Sequence, residues 1–177
     1  DVDRFFAEGG RGLNVTVPPW VQDGGFEASL ERMRDPEMRE RIIEEIRAIT
    51  REHARELSEM AVRETGFGRV EDKVRKHLLV ANKTPGPEVV VPMVMSGDYG
   101  LSLMENAAWG VIASVTPSTN PSATVVNNSI SMIAAGNAVV FAPHPAAKAV
   151  SQRAVQLVNE ASVRAGGPDG IVTTVAD

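Results

Sequence analysis

Apolar residues recur at Met38, Ile42, Ile46, Ile49, Leu57 and Met60 in steps of threes and fours, with His53 on the same stripe. That is the period of an α-helix with one buried face. Asp35-Pro36 supplies an N-cap and a first-turn proline, and Gly66 after Glu64-Thr65 suits a left-handed cap. One long amphipathic helix is therefore predicted over 36–65. A second is predicted over 70–82, with Val70, Val74, Leu78 and Ala81 on one face, ending at Thr84-Pro85-Gly86-Pro87. The pattern then changes. Two extended runs, 89–96 and 101–106, flank Gly97-Asp98-Tyr99-Gly100 and predict a hairpin.

From Gly110 the order is strand (110–115), Pro-bracketed loop, helix (122–135), Gly136-Asn137, strand (138–142), Pro-rich turn, helix (146–165), a Gly-Gly-Pro-Asp-Gly turn and strand (171–175). This βαβαβ order predicts an α/β fold with a parallel sheet and right-handed crossovers. Glycine and proline punctuate the first 34 residues, leaving room for a short strand over 13–17 and a short helix over 26–33. Three parts follow: an irregular segment over 1–38, helices plus hairpin over 39–108, and the βαβαβ unit over 109–177.

Composition narrows the classes. Hydrophobic residues make up 43% of the chain and aromatics only 5%, so aliphatic side chains must fill the core. A net charge of −5 argues against a basic face for nucleic acid or an anionic membrane. No apolar run reaches the roughly 20 residues of a membrane span, and no signal-peptide pattern opens the chain, so a cytoplasmic location is expected. There is no cysteine, hence no disulfide framework and no thiolate metal site. His53, His77 and His144 lie far apart in sequence, and no metal site is expected. The chain starts at Asp1 and stops on an apolar run, which reads as a piece of a longer protein.

The candidate chemistry centres on Thr116-Pro117-Ser118-Thr119-Asn120-Pro121. In open α/β sheets ligands sit at the carboxyl ends of the strands, and a following helix N-terminus favours an anion or a carbonyl oxygen. The glycine fingerprint G-x-G-x-x-G is absent. So is an acidic residue at the end of the second strand, which reads Ala142-Pro143-His144-Pro145. The residues alone leave two readings open: a loop with no ligand, or a nucleotide-type ligand over the strand ends. His53 and His77 are expected in packing or at the surface. Asn127 and Asn128 are expected to bond to neighbouring loops, and Lys148 is expected to be an exposed helix lysine. Gly66-Phe67-Gly68-Arg69 is expected to be a cap and connector rather than a phosphate loop.

Three stretches go further: "ETGFGRVEDKVRKHLLVANKTPG", "NAAWGVIASVTPSTNPSATVVNNSISMIAAGNAVVFAPHPAAKAVS" and "GGPDGIVTTV". Together they resemble CoA-acylating aldehyde dehydrogenases, nearest to the acetaldehyde/propionaldehyde type of bacterial microcompartments, over about 39–177. The resemblance implies an aldehyde dehydrogenase-like fold, with a partial Rossmann-like NAD-binding unit over 109–177. It also implies oxidation of a small aldehyde to an acyl-CoA with NAD as cofactor and CoA as co-substrate. In that family a cysteine thiolate attacks the aldehyde, hydride passes to NAD and CoA takes the acyl group. The cysteine lies beyond these residues, so the chain alone is expected to be inactive.

By the same resemblance Thr116, Pro117, Ser118 and Thr119 line the nicotinamide and ribose side, and His144 lies near the adenosine ribose and phosphate. Asn120 is the catalytic candidate for polarising the aldehyde oxygen. It sits one place later than the Asn of the wider superfamily's Pro-Trp-Asn-Phe-Pro, and Thr119 takes the middle position. The usual Lys and Glu after the second strand are replaced by Ala142 and Pro145. A homo-oligomer using the hairpin is implied for the full-length protein, as is a location within a bacterial microcompartment of the cytoplasm. Two alternatives stand beside this: a non-catalytic binding or assembly module, and a remnant of an amidohydrolase. The second rests on residues 12–46, whose Pro-Pro-Trp and Gly-Gly are similar to N-acyl-D-amino-acid deacylases. That stretch has no histidine, so no metal site carries over.

Overall fold

The computed structural model describes residues 31–175. The predicted strand over 13–17 and most of the predicted helix over 26–33 lie outside them. Residues 31–34 are helical, and Met33 is buried.

The first helix, α1 (Pro36–Thr65), is the scaffold. The Asp35 side chain accepts from the Glu37 amide, and Gly66 ends the helix at φ 72°, its amide donating to Val62 O. The apolar stripe is buried as its period predicts: Ile42, Ile46, Ile49 and Leu57, with Ile43 and Ala61 beside them. α2 (Val70–Lys83) packs against α1. Arg47 reaches from α1 to the end of α2, donating to Ala81 O at 2.7 Å and Thr84 O at 2.9 Å. A guanidinium there satisfies carbonyls that have no partner within the helix.

The hairpin pairs β1 (Met93–Gly97) with β2 (Gly100–Met104), antiparallel, Gly97 opposite Gly100. The first strand starts later than the extended run over 89–96 predicts. Pro87–Val89 forms a 3-10 turn instead. Proline fixes the backbone for it, the Glu88 carboxylate accepts from the Gly86 amide at 2.8 Å, and Val90 N donates to Pro87 O. The second strand ends at Met104 rather than Asn106. Both strands are exposed along their whole length.

The parallel sheet has the order β3-β4-β5: β3 (Val111–Thr116), β4 (Ala138–Pro143) and β5 (Val172–Thr174). α3 (Pro121–Ala134) and α4 (Lys148–Arg164) connect them. α4 begins two residues later than predicted, because Pro145–Ala147 forms a 3-10 turn first. Ile112 pairs with Val139 and Ser114 with Phe141, so these side chains share one face of the sheet. Val139, Phe141 and Val172 pack there with Val125, Ile130 and Ile133 of α3, Val150 and Val158 of α4, and the α1 stripe. Val111 and Val115, on the opposite face, are 65% and 81% exposed. Buried Asn137 fixes the entry to β3, its Oδ1 accepting from the Trp109 and Gly110 amides.

Candidate functional site

β3 ends at Thr116, opposite Pro143 of β4, so the loop after β3 and the turn after β4 share one edge of the sheet. Thr116 is 1% exposed and its hydroxyl has no hydrogen-bond partner. Pro117 and Thr119 are exposed, Ser118 and Asn120 half-buried. Pro121 opens α3, where its missing N–H costs nothing. Asn120 is the N-cap residue, but its side chain makes no capping bond. It turns instead to α2, its Oδ1 accepting from Lys76 Nζ at 2.6 Å.

α2 braces this loop at three points. Besides the Lys76 bond, Lys73 Nζ donates to Thr119 O at 2.9 Å, and His77 Nε2 lies 2.9 Å from Ser122 Oγ in the first turn of α3. His77 Nδ1 lies 2.8 Å from Lys73 O. A carbonyl only accepts, so Nδ1 carries the proton and Nε2 accepts from the Ser122 hydroxyl. Ser58 of α1 stands 3.2 Å from Nδ1 while donating to Ala54 O. His77 is 2% exposed. Burial holds its pKa below the ordinary value; the Lys73 carbonyl opposes this, and the charges of Lys73 and Lys76 add to it. Burial also lowers the pKa of Lys73, with repulsion from Lys76 second.

Between α2 and the loop lies an open cavity of about 330 Å³, lined by Phe67, Arg69, Lys73, Lys76, Thr119 and Asn120 among others. Among the described residues, no group of three or more His, Asp or Glu side chains could hold a metal ion. No helix among them is long and apolar enough to cross a membrane.

His144 is exposed just after β4, and its Nδ1 accepts from the Ala146 amide at 3.1 Å, capping the 3-10 turn. The nearby N-terminus of α4 already holds a carboxylate. Glu64, at the far end of α1, accepts from the Ala149 and Val150 amides, each at 2.8 Å. The fold thus brings Thr116–Asn120 and His144 to one edge and leaves His53 elsewhere, on α1 beside Glu56, which also takes Arg153 of α4 at 2.7 Å. Asn127 accepts from Thr84, in the connection after α2, and Asn128 donates to Ser114 of β3. Sequence reasoning missed Lys73, Lys76, His77 and Glu64 as parts of the site. The spacing of Lys73, Lys76 and His77, three and four apart on one helix face, was the available signal.

The aldehyde dehydrogenase family model matches residues 27–177. The chain belongs to the aldehyde dehydrogenase family. Among aldehyde dehydrogenases it is 62% identical over 140 residues to the acetaldehyde dehydrogenase (acetylating) EutE of Salmonella typhimurium, covering 79% of this chain and 30% of that protein. It is 40% identical over 169 residues to the propanal dehydrogenase (CoA-propanoylating) of the same organism, covering 95% of this chain and 36% of that one. That alignment leaves few residues outside it and so reaches into the stretch over 12–46. A propionaldehyde dehydrogenase from the Clostridium phytofermentans fucose utilisation bacterial microcompartment superposes with a TM-score of 0.80 at 48% identity, covering 93% of this chain and 38% of that structure. The chain therefore spans about a third of the length of the aldehyde dehydrogenases it matches.

Proposed function

We propose that these residues form the helical entry region (39–108) and part of the nicotinamide-nucleotide domain (109–177) of a CoA-acylating aldehyde dehydrogenase. The reaction is aldehyde, CoA and NAD to acyl-CoA and NADH with release of a proton. The observation that carries the reading is the Pro-bracketed loop at the carboxyl edge of a parallel sheet, in a chain 62% identical to an acetylating acetaldehyde dehydrogenase.

The residues at that edge suit a nicotinamide nucleotide. Thr116 offers a buried hydroxyl with no protein partner, and such groups are costly unless something pairs with them. Thr116, Pro117, Ser118 and Thr119 would line the nicotinamide and ribose side, and His144 the adenosine side. When bound, the cofactor accepts the hydride. Its phosphates are not assigned to the start of α4, because Glu64 already occupies those amides. Asn120 has a defined orientation: an ammonium can only donate, so Lys76 holds the amide oxygen and leaves the amide NH₂ as a donor for an aldehyde oxygen.

The 177 residues hold no cysteine, so the acyl-transfer nucleophile would come from residues outside them. The exposed apolar hairpin, with Met93, Leu101 and Leu103 on its strands, supports a homo-oligomer. The likeness to a microcompartment enzyme supports a location in such a compartment.

The test is NADH formation at 340 nm by the longer protein that contains this chain, with acetaldehyde or propionaldehyde, with and without CoA. CoA-dependent turnover is expected, and none from the 177 residues alone. Equal rates without CoA, or turnover by the 177-residue chain, would overturn the proposal.

A further inference from the structure

The cavity between α2 and the loop has an electrostatic imbalance. Arg69, Lys73 and Lys76 line it, and the carboxylate in its wall, Asp72, is held by Arg69 at 2.6 Å and approached by Arg75 at 3.7 Å. Glu71, the next residue, pairs with Arg55 of α1 at 3.0 Å. Neither acid therefore serves the two lysines. Lys73 Nζ bonds to Thr119 O and Lys76 Nζ to Asn120 Oδ1, both neutral oxygens. An ammonium has three donors, so each lysine keeps two beyond these bonds.

Lys73 is only 7% exposed, and a buried cation without a counter-ion is costly. Its path is built into the backbone. Gly68 adopts φ +79°, and a Cβ there would lie 3.3 Å from Lys73 Cε. The half-exposed ring of Phe67 adds an apolar wall.

We propose that this cavity binds the phosphate group of a small ligand, held between the ammonium groups of Lys73 and Lys76 with Arg69 at its rim. Two cations a few residues apart match a doubly charged tetrahedral oxyanion better than a carboxylate. The site goes beyond the proposed function, on which it does not depend: its grip is on the two ammonium groups of α2, of which that reading uses only Lys76, as the brace of Asn120, and it shares Thr119, Asn120 and Lys76 with it. The phosphate can be free or the monoester of a larger molecule.

The experiment is an NMR titration, at low salt, of the ¹⁵N- and ²H-labelled longer protein that contains this chain. Inorganic phosphate is the probe in one arm and adenosine 5′-monophosphate in the other. Saturable shifts at the amides of Lys73, Lys76, Thr119 and Asn120 are expected. Inorganic phosphate alone giving them identifies a free-phosphate site; tighter binding of the monoester identifies a larger ligand. Lys76→Gln, at an exposed position, should weaken binding about two- to fivefold, as loss of one ion pair near a surface does. Lys83→Gln, at the other end of α2, should leave it unchanged. No saturable shift at those amides with either probe, or an equal loss in Lys83→Gln, would overturn the proposal. A dispersed spectrum of Lys76→Gln shows that the variant is folded.

Discussion

Replacing His77 with glutamine tests the brace behind the loop. In the folded chain the imidazole is neutral, donating from Nδ1 to Lys73 O and accepting at Nε2 from Ser122. Burial keeps its folded pKa below the ordinary 6.5, and Lys73 and Lys76 press the same way. Above pH 6.5 neither state binds the proton and the full stability is present. As pH falls below 6.5 the unfolded chain takes up a proton that the native chain refuses, so stability drops until the folded pKa is reached. One proton of difference gives a slope of up to about 1.4 kcal/mol per pH unit. For a chain of this size that is about 3–6 °C of Tm per pH unit. Thermal melts of wild type and His77→Gln, followed by circular dichroism from pH 7.5 to 5, provide the comparison. Other groups titrate in both proteins, so the difference between the two curves isolates His77. It should narrow or reverse as pH falls, with glutamine losing less than histidine. Parallel curves would refute the buried neutral imidazole.

Gly167→Ala should destabilise by about 1–3 kcal/mol through overpacking, because a Cβ there would fall 2.6 Å from Ile42 Cδ1 and 2.7 Å from Ser162 Oγ; urea midpoints measure it. Glu64→Ala removes the acceptor for the Ala149 and Val150 amides and should cost about 0.5–2 kcal/mol, the range for a lost N-cap. Hydrogen exchange should then rise in the first turn of α4. Thr116→Val removes a buried hydroxyl that has no partner, so the melting temperature should hold or rise, while the KM for NAD of the longer protein should increase. A fall in Tm of Thr116→Val would show that the hydroxyl is already satisfied.

The long helix and the βαβαβ unit were legible because periodicity and local caps are encoded within a few residues. Asp35, Pro36 and Gly66 mark α1 on both sides, and the structure uses each of them as the sequence suggests. The boundary errors have a local cause too. Val89 and Val90 look like strand residues, but the proline at 87 and the Glu88 carboxylate fold that stretch into a turn. The loop was legible as a candidate from its place after β3. What held it was not, since Lys73 and Lys76 lie more than 40 residues away from Thr119 and Asn120. Glu64 was read only as part of a helix end, and its bonds to α4 span more than 80 residues. No propensity reports such distances; only the fold closes them.

The position of α1 has a consequence for the chain as it is made. Its stripe is finished against α4 and the turn after it, where Gly167 meets Ile42 roughly 125 residues later. At about 5–20 residues per second of synthesis, Ile42 waits on the order of 6–25 s for that partner. The part of the stripe that faces α4 thus stays uncovered for seconds on a growing polypeptide, while α2 and then α3 reach the rest. α2 is the neighbour that arrives first, so the Arg55–Glu71 pair and then the Arg47 bonds to the last carbonyls of α2 can clasp the nascent protein before α4 is made.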